Sequence, residues 1–166
     1  MANGVQVANF LSDKGQVSDR KFSPVEGGMV SKKKILVVED NPDIRQLMVH
    51  FFERTGYDVF EAATGTAAVE QASATIPDLI TMDLGLPDIT GAEATALLKA
   101  DPSTKHIPVI VITAYYKEAP IVESAVAAGA CAVFSKPVSL RSLEPALRRI
   151  LTATPNEGAL QRQEVQ

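Results

Sequence analysis

Ile35-Leu36-Val37-Val38-Glu39-Asp40 and Leu79-Ile80-Thr81-Met82-Asp83 decide the reading of this chain. Each is an apolar run of strand length that ends abruptly in acid. Such runs read as strands buried on both faces, and in an open α/β sheet the carboxyl ends of the strands form the ligand crevice. Glu39, Asp40 and Asp83 would then meet in one place. Three carboxylates cannot all stay ionised at close range without a neutralising cation, so the pattern predicts a hard divalent metal, Mg²⁺ above all.

Two further runs end in polar residues at the same predicted edge. Val109-Ile110-Val111-Ile112 leads into Thr113-Ala114, and Ala132-Val133-Phe134-Ser135 into Lys136-Pro137. An acidic pair after the first run, Asp after the third, Thr after the fourth and Lys-Pro after the fifth together resemble the response-regulator receiver domain of two-component signalling. The likeness covers roughly residues 34 to 151. It implies that Asp83 is the phosphoacceptor, that the Thr113 hydroxyl binds a phosphoryl oxygen, and that Lys136 pairs with the phosphoacceptor. It further implies that the backbone carbonyl of Gly85, in the turn Leu84-Gly85-Leu86-Pro87, joins Glu39, Asp40 and Asp83 around the metal.

Between the runs, helical signals recur. Asn41-Pro42 offers a cap followed by proline at the first helical position, and Ile44, Leu47, Met48 and Phe51 follow at helical spacing, with Gly56 as the stop. Residues 57–61 read as a strand, 66–74 as an alanine-rich helix, 120–128 as a fourth helix ended by Gly129. Strands alternating with helices demand parallel pairing through right-handed crossovers. The expected fold is therefore α/β, doubly wound, with five parallel strands and five helices; the flavodoxin-like order 2-1-3-4-5 is what the family resemblance implies. A Rossmann half is disfavoured because Glu39-Asp40-Asn41-Pro42 stands where GxGxxG is needed. In the last helix, Leu140, Leu143, Leu147, Ile150 and Leu151 form an apolar stripe, but Pro145 breaks the pattern, predicting either a kink or a start near Ser142.

The 166 residues, 46% of them hydrophobic, suit one domain with tails. The formal net charge is −4, and the split is uneven: residues 1–34 hold six Lys/Arg against three Asp/Glu, and the remainder ten against seventeen. An acidic folded part argues against nucleic acid or an anionic membrane as partner. Arg141, Arg148 and Arg149 read as dipole partners at the end of a helix rather than a DNA-binding patch. Cys131 is the single cysteine, so no intramolecular disulfide can form, and no apolar stretch is long enough to span a bilayer. A cytoplasmic location follows as an expectation. Residues 1–33 lack period and motif and are expected to be a disordered N-terminal extension, 34–152 the receiver domain, and 153–166 a flexible tail. Met29, just ahead of the basic approach to the first strand, reads as an alternative start.

The resemblance implies a two-component response regulator that takes its phosphoryl group from a histidine kinase or histidine phosphotransfer protein. Its output would be a phosphorylation-dependent contact with a downstream protein through the fourth helix, fifth strand and fifth helix. It would be no enzyme beyond its own phosphorylation and dephosphorylation, and no space is expected for a separate output domain. The alternative is an aspartate-nucleophile phosphatase or phosphomutase, which needs a second Asp two residues after the first, where this chain has Gly85. A flavin carrier of the same fold would need a neutral phosphate loop after the first strand, where this chain is acidic. One family feature is displaced: receivers carry an aromatic three residues before the lysine, and here that position is Val133. Phe134 follows and should point to the opposite side. Tyr115 and Tyr116 are the candidates to take over that aromatic's role.

Overall fold

The computed structural model describes residues 31–115 and 117–152. Apart from Ser31, Lys32 and Lys33, the expectations for the two chain ends lie outside the described residues, as does Tyr116. Among the described residues, strands and helices alternate: β1 (Lys34–Val38), α1 (Pro42–Arg54), β2 (Asp58–Ala62), α2 (Gly65–Thr75), β3 (Leu79–Met82), α3 (Gly91–Ala100), β4 (Val109–Thr113), α4 (Ala119–Ala127), β5 (Ala132–Ser135) and α5 (Leu140–Thr152). The strands pair parallel in the order β2-β1-β3-β4-β5. This is the flavodoxin-like arrangement, and its direction of winding reverses beside β1, which places the crevice next to β1 and β3.

The period-2 alternation of the strands builds two cores. Leu36, Val38, Ile80, Met82, Val109 and Val111 face one side, against Ala68 and Ala72 of α2, Ala94 and Leu98 of α3, and Ala125 of α4. Ile35, Val37, Leu79, Ile110 and Ile112 face the other, against Met48 and Phe52 of α1 and Leu143 and Leu147 of α5. Alanine on α2 lets that helix approach closely, whereas the second layer is filled by large side chains. Phe52, Leu143 and Leu147 are fully buried, each contributing roughly 1.5–3 kcal/mol of transfer free energy.

The caps follow the sequence closely. Asn41 accepts from Asp43 N and Ile44 N to start α1, and Gly56 and Gly129 adopt the left-handed backbone that ends α1 and α4, with φ of 98° and 108°. Two expectations need correction. On α1 the buried positions are Met48 and Phe52, while Leu47 is 62% and Ile44 37% exposed. The inward face is Arg45, Met48, Val49 and Phe52 with Phe51 packed at its edge, so Met48 and Phe51 of the apolar pattern face the core while Ile44 and Leu47 do not. In α5, the helix starts at Leu140 and runs through Pro145 rather than beginning near Ser142. Ser139 O accepts from both Ser142 N and Leu143 N, and the burial of Leu143 and Leu147 on either side of the proline outweighs the one backbone bond it forfeits.

Candidate functional site

The strand registers carry the polar residues to one edge. Val38 pairs with Met82 and Thr113 with Ser135. The ladder then continues one step past the strands: Asp83 N donates to Val38 O at 3.0 Å, Glu39 N to Ala62 O at 3.1 Å, and Lys136 N to Thr113 O at 2.9 Å. Each site residue therefore stands on a backbone fixed by its neighbouring strand.

The side chains close a pocket. Lys136 Nζ lies 2.6 Å from Glu39 Oε2 and 2.8 Å from Asp83 Oδ2. Glu39 is 2% and Asp83 7% exposed, whereas Asp40 faces solvent at the rim. One oxygen from each of Glu39, Asp40 and Asp83 falls within 4.8 Å of the others. Burial pushes the Glu39 carboxyl above its usual range, against the pull of Lys136. Burial alone would lower the Lys136 ammonium, but hydrogen bonds to Asp83 and Glu39 outweigh it and hold the group above its ordinary value. Three carboxylates against one ammonium leave the pocket two charges short of neutral when all are ionised. That deficit, in a cluster of oxygen donors open to solvent at Asp40, fits a hard divalent cation such as Mg²⁺.

The loop after β3 wraps the pocket. Leu84 N donates to Asp83 Oδ1 at 2.7 Å, and Gly85 N sits 3.4 Å from the same oxygen. Thr113 is fully buried at the end of β4. Its Oγ1 accepts from Tyr115 N at 3.1 Å, which leaves the hydroxyl hydrogen to be donated. The Tyr115 ring lies against the β3–α3 loop, so close that a Cβ added at Gly85 would be 3.0 Å from its Cε2. Val133 packs with the α2–α3–α4 core and Phe134 with the α1–α5 core. The two residues thus face opposite sides, as the alternation predicts.

The structure brings together Glu39, Asp40, Asp83 and Lys136, and places Gly85 and Thr113 on the segments bordering them. It adds residues that sequence reasoning missed. Arg45 donates from Nη1 to Glu39 O at 2.8 Å and Asp40 O at 3.3 Å, and from Nε to Glu61 Oε2 at 3.2 Å, so it pins the acidic turn from α1. An arginine one turn from the acidic pair, in phase with Met48 and Phe52, was the available signal. Gly91 has backbone packed where its side chain would be: an added Cβ would lie 2.0 Å from Asp83 O. Of the arginines on α5, Arg148 is paired with Glu144 four residues earlier at 2.8 Å, in keeping with a solvated helix face.

Comparison with known proteins agrees with this geometry. Residues 35–148 match the model of the response regulator receiver domain. The chain is 38% identical over 109 residues to the polar-differentiation response regulator DivK of Brucella ovis, covering 65% of this chain and 87% of that protein. In structure it resembles a CheY-like receiver domain protein from Methanospirillum hungatei, with TM-score 0.68 and 30% identity over 73% of this chain and 94% of the other. It is equally similar to the receiver domain of a sensor histidine kinase from Pseudomonas aeruginosa solved with a magnesium ion coordinated in its active-site cleft, with TM-score 0.68 and 30% identity over 74% of this chain and 100% of that one. No helix among the described residues is long and apolar enough to cross a membrane. The chain belongs to the response regulator receiver domain family of two-component signalling.

Proposed function

We propose that this chain is a phosphorylation switch in which Asp83 accepts a phosphoryl group from a phosphohistidine on a histidine kinase or histidine phosphotransfer protein. The observation that carries this reading is the lysine bridge: one ammonium held at hydrogen-bond distance from both Asp83 and the buried Glu39. In the transfer, a carboxylate oxygen of Asp83 forms the new P–O bond as the donor's P–N bond breaks, and the imidazole leaves with the electron pair of that bond. Little covalent work falls to the protein, so positioning and charge neutralisation dominate. Lys136 orients Asp83 and offsets charge on the incoming group. The Thr113 hydroxyl, already fixed by the Tyr115 amide, donates its hydrogen to a phosphoryl oxygen, and the Leu84 amide holds the second Asp83 oxygen. Glu39, Asp40, Asp83 and the carbonyl of Gly85 would hold Mg²⁺, which supplies further positive charge for the phosphoryl oxygens when bound.

The product is a protein with altered charge at one sheet edge. Its output is a shift in a two-state equilibrium of the loop after β4, read by a downstream protein on the α4–β5–α5 face. A cytoplasmic location accords with this role. The test is incubation of the full chain with a small phosphodonor and Mg²⁺, which should add one phosphoryl group, labile to base and hydroxylamine. Chelator should stop labelling while leaving the domain folded. Full labelling in excess EDTA, or of an Asp83→Asn variant, would refute the assignment.

A further inference from the structure

Asp88 lies outside the acidic pocket, on the loop between β3 and α3, and its carboxylate is solvent-exposed yet fully engaged. One oxygen accepts from Gly65 N at 2.7 Å and the other from Thr66 N at 2.8 Å. These are the first two residues of α2, and the third, Ala67, donates its N–H to Thr64 Oγ1 at 3.1 Å. The first-turn donors that a helix leaves without intrahelical partners are therefore met by two different segments. Thr64 caps its own helix. Asp88 reaches it from 22 and 23 residues further along the chain, so it fastens one element to another. Hydrogen bonding from Thr66 holds the Asp88 carboxyl well below the usual range.

The loop fits flat against that helix start. A Cβ on Gly65 would lie 2.5 Å from Ile89 Cγ1 and 2.9 Å from Ile89 O. At its other end the same loop turns inward: Leu84 N binds Asp83 Oδ1 at 2.7 Å, and Gly91 N donates to Leu84 O at 3.1 Å. Between these anchors lies Gly85. The loop is thus strung between α2, through Asp88, and the pocket, through Leu84.

We propose that Asp88 is a positioning residue for the pocket, tethering the β3–α3 loop to α2 so that the Leu84 amide and the Gly85 carbonyl are held in place for Asp83 and the cation. The inference rests on the reading of Asp83 and Gly85 given above. A purely structural cap would stabilise α2 and nothing else, which separates the two roles experimentally. The comparison is between Asp88→Ala, Asp88→Asn and Thr64→Ala in the full chain. Mg²⁺ affinity is measured by calorimetry without phosphodonor, and amide exchange at Leu84 and Gly85 without metal.

Asp88→Ala should weaken Mg²⁺ binding by roughly 10-fold, the scale of losing an outer-shell support, and speed exchange at both amides. Asp88→Asn, which keeps one acceptor oxygen, should fall between it and the wild type. Thr64→Ala uncaps the same helix without releasing the loop, so it should lower thermal stability and leave Mg²⁺ affinity unchanged. Wild-type affinity and exchange in Asp88→Ala would overturn the role while leaving the pocket's assignment standing. Equal weakening in Thr64→Ala would overturn it too, by showing that the helix rather than the tether matters. A wild-type chain that binds no Mg²⁺ would bring down the pocket reading and this role together.

Discussion

Replacing Gly91 with alanine should damage stability and phosphorylation together. Gly91 opens α3, and its Cα faces backbone: an added Cβ would lie 2.0 Å from Asp83 O, 2.8 Å from Asp83 C and 2.9 Å from Leu84 Cα. None of these atoms can rotate aside as a side-chain tip could. Reaching even 3.0 Å, a separation below which real Cβ contacts essentially never occur, requires α3 and the β3 terminus to separate by about 1 Å. Overpacking of this kind costs ~1–3 kcal/mol, and the alanine's advantage in the unfolded chain returns only about 0.4–1 kcal/mol. A net loss near 1–2 kcal/mol, with a urea slope of ~1–3 kcal/mol/M, lowers the unfolding midpoint by on the order of 1 M. Because the displaced atoms are the backbone of Asp83, the labelling rate with a small phosphodonor should fall by about 10²-fold, the scale associated with a 1 Å misplacement. Gly85→Ala is the contrast, since the nearest atoms to its Cβ are the tip of the Tyr115 side chain, a residue 44% exposed, and not backbone. A Gly91→Ala protein with wild-type midpoint and labelling rate would refute the close-approach argument.

Thr81 lies fully buried in β3 with its hydroxyl unpartnered, so Thr81→Val should raise stability by about 1 kcal/mol; a loss in urea titration would mean the hydroxyl is satisfied after all. Partial burial would raise the Asp78 carboxyl, but hydrogen bonds from Lys33 Nζ at 2.7 Å and Lys34 N at 2.8 Å win and hold it below its ordinary value. A depressed carboxyl contributes stability above its unfolded pKa and loses it as pH falls through the folded value. Asp78→Asn should therefore cost up to about 1 kcal/mol near pH 6 and progressively less as the pH falls through the acid range, and a gap unchanged between pH 6 and the acid end in thermal melts would contradict the pairing. With Val133 in place of the usual aromatic, and Thr113 bonded to the Tyr115 amide, a beryllofluoride mimic of the phosphoryl group should shift backbone NMR signals most in residues 114–118. Larger shifts at Val133 and Phe134 would overturn that expectation.

Most of the sheet was legible because β1, β3 and β4, buried on both faces, leave unbroken apolar runs, and because these runs and that of β5 lead into residues too polar to be accidental at a strand terminus. Glu39, Asp83 and Lys136 could be read for that reason. The order of the strands could not be read from periodicity, since every interior strand looks alike to a hydrophobicity pattern, and it came through the resemblance to receivers. On α1, Met48 and Phe51 of the apolar pattern do pack on the core, whereas Ile44 and Leu47, equally apolar, are exposed. Arg45 favours the other face, since its partly buried guanidinium binds the carbonyls of the acidic turn. Of the two outcomes expected of Pro145, the later helix start is ruled out, because Leu143 and Leu147 in the core hold the helix from Leu140 onward. Asp88 and Gly91 carried no local signal in the sequence, because a carboxylate that caps a distant helix and a glycine that admits a distant carbonyl look like any turn residue.

The most direct test of the central claim is to locate the phosphoryl group. Borohydride reduction of the phosphorylated full chain converts an aspartyl phosphate to homoserine, and peptide mass spectrometry then identifies the residue. The account predicts homoserine at position 83, and none when Mg²⁺ has been removed beforehand. Homoserine at Asp40 or at any other aspartate, or a label that resists reduction because it sits on a hydroxyl such as Thr113 or Ser135, would contradict it.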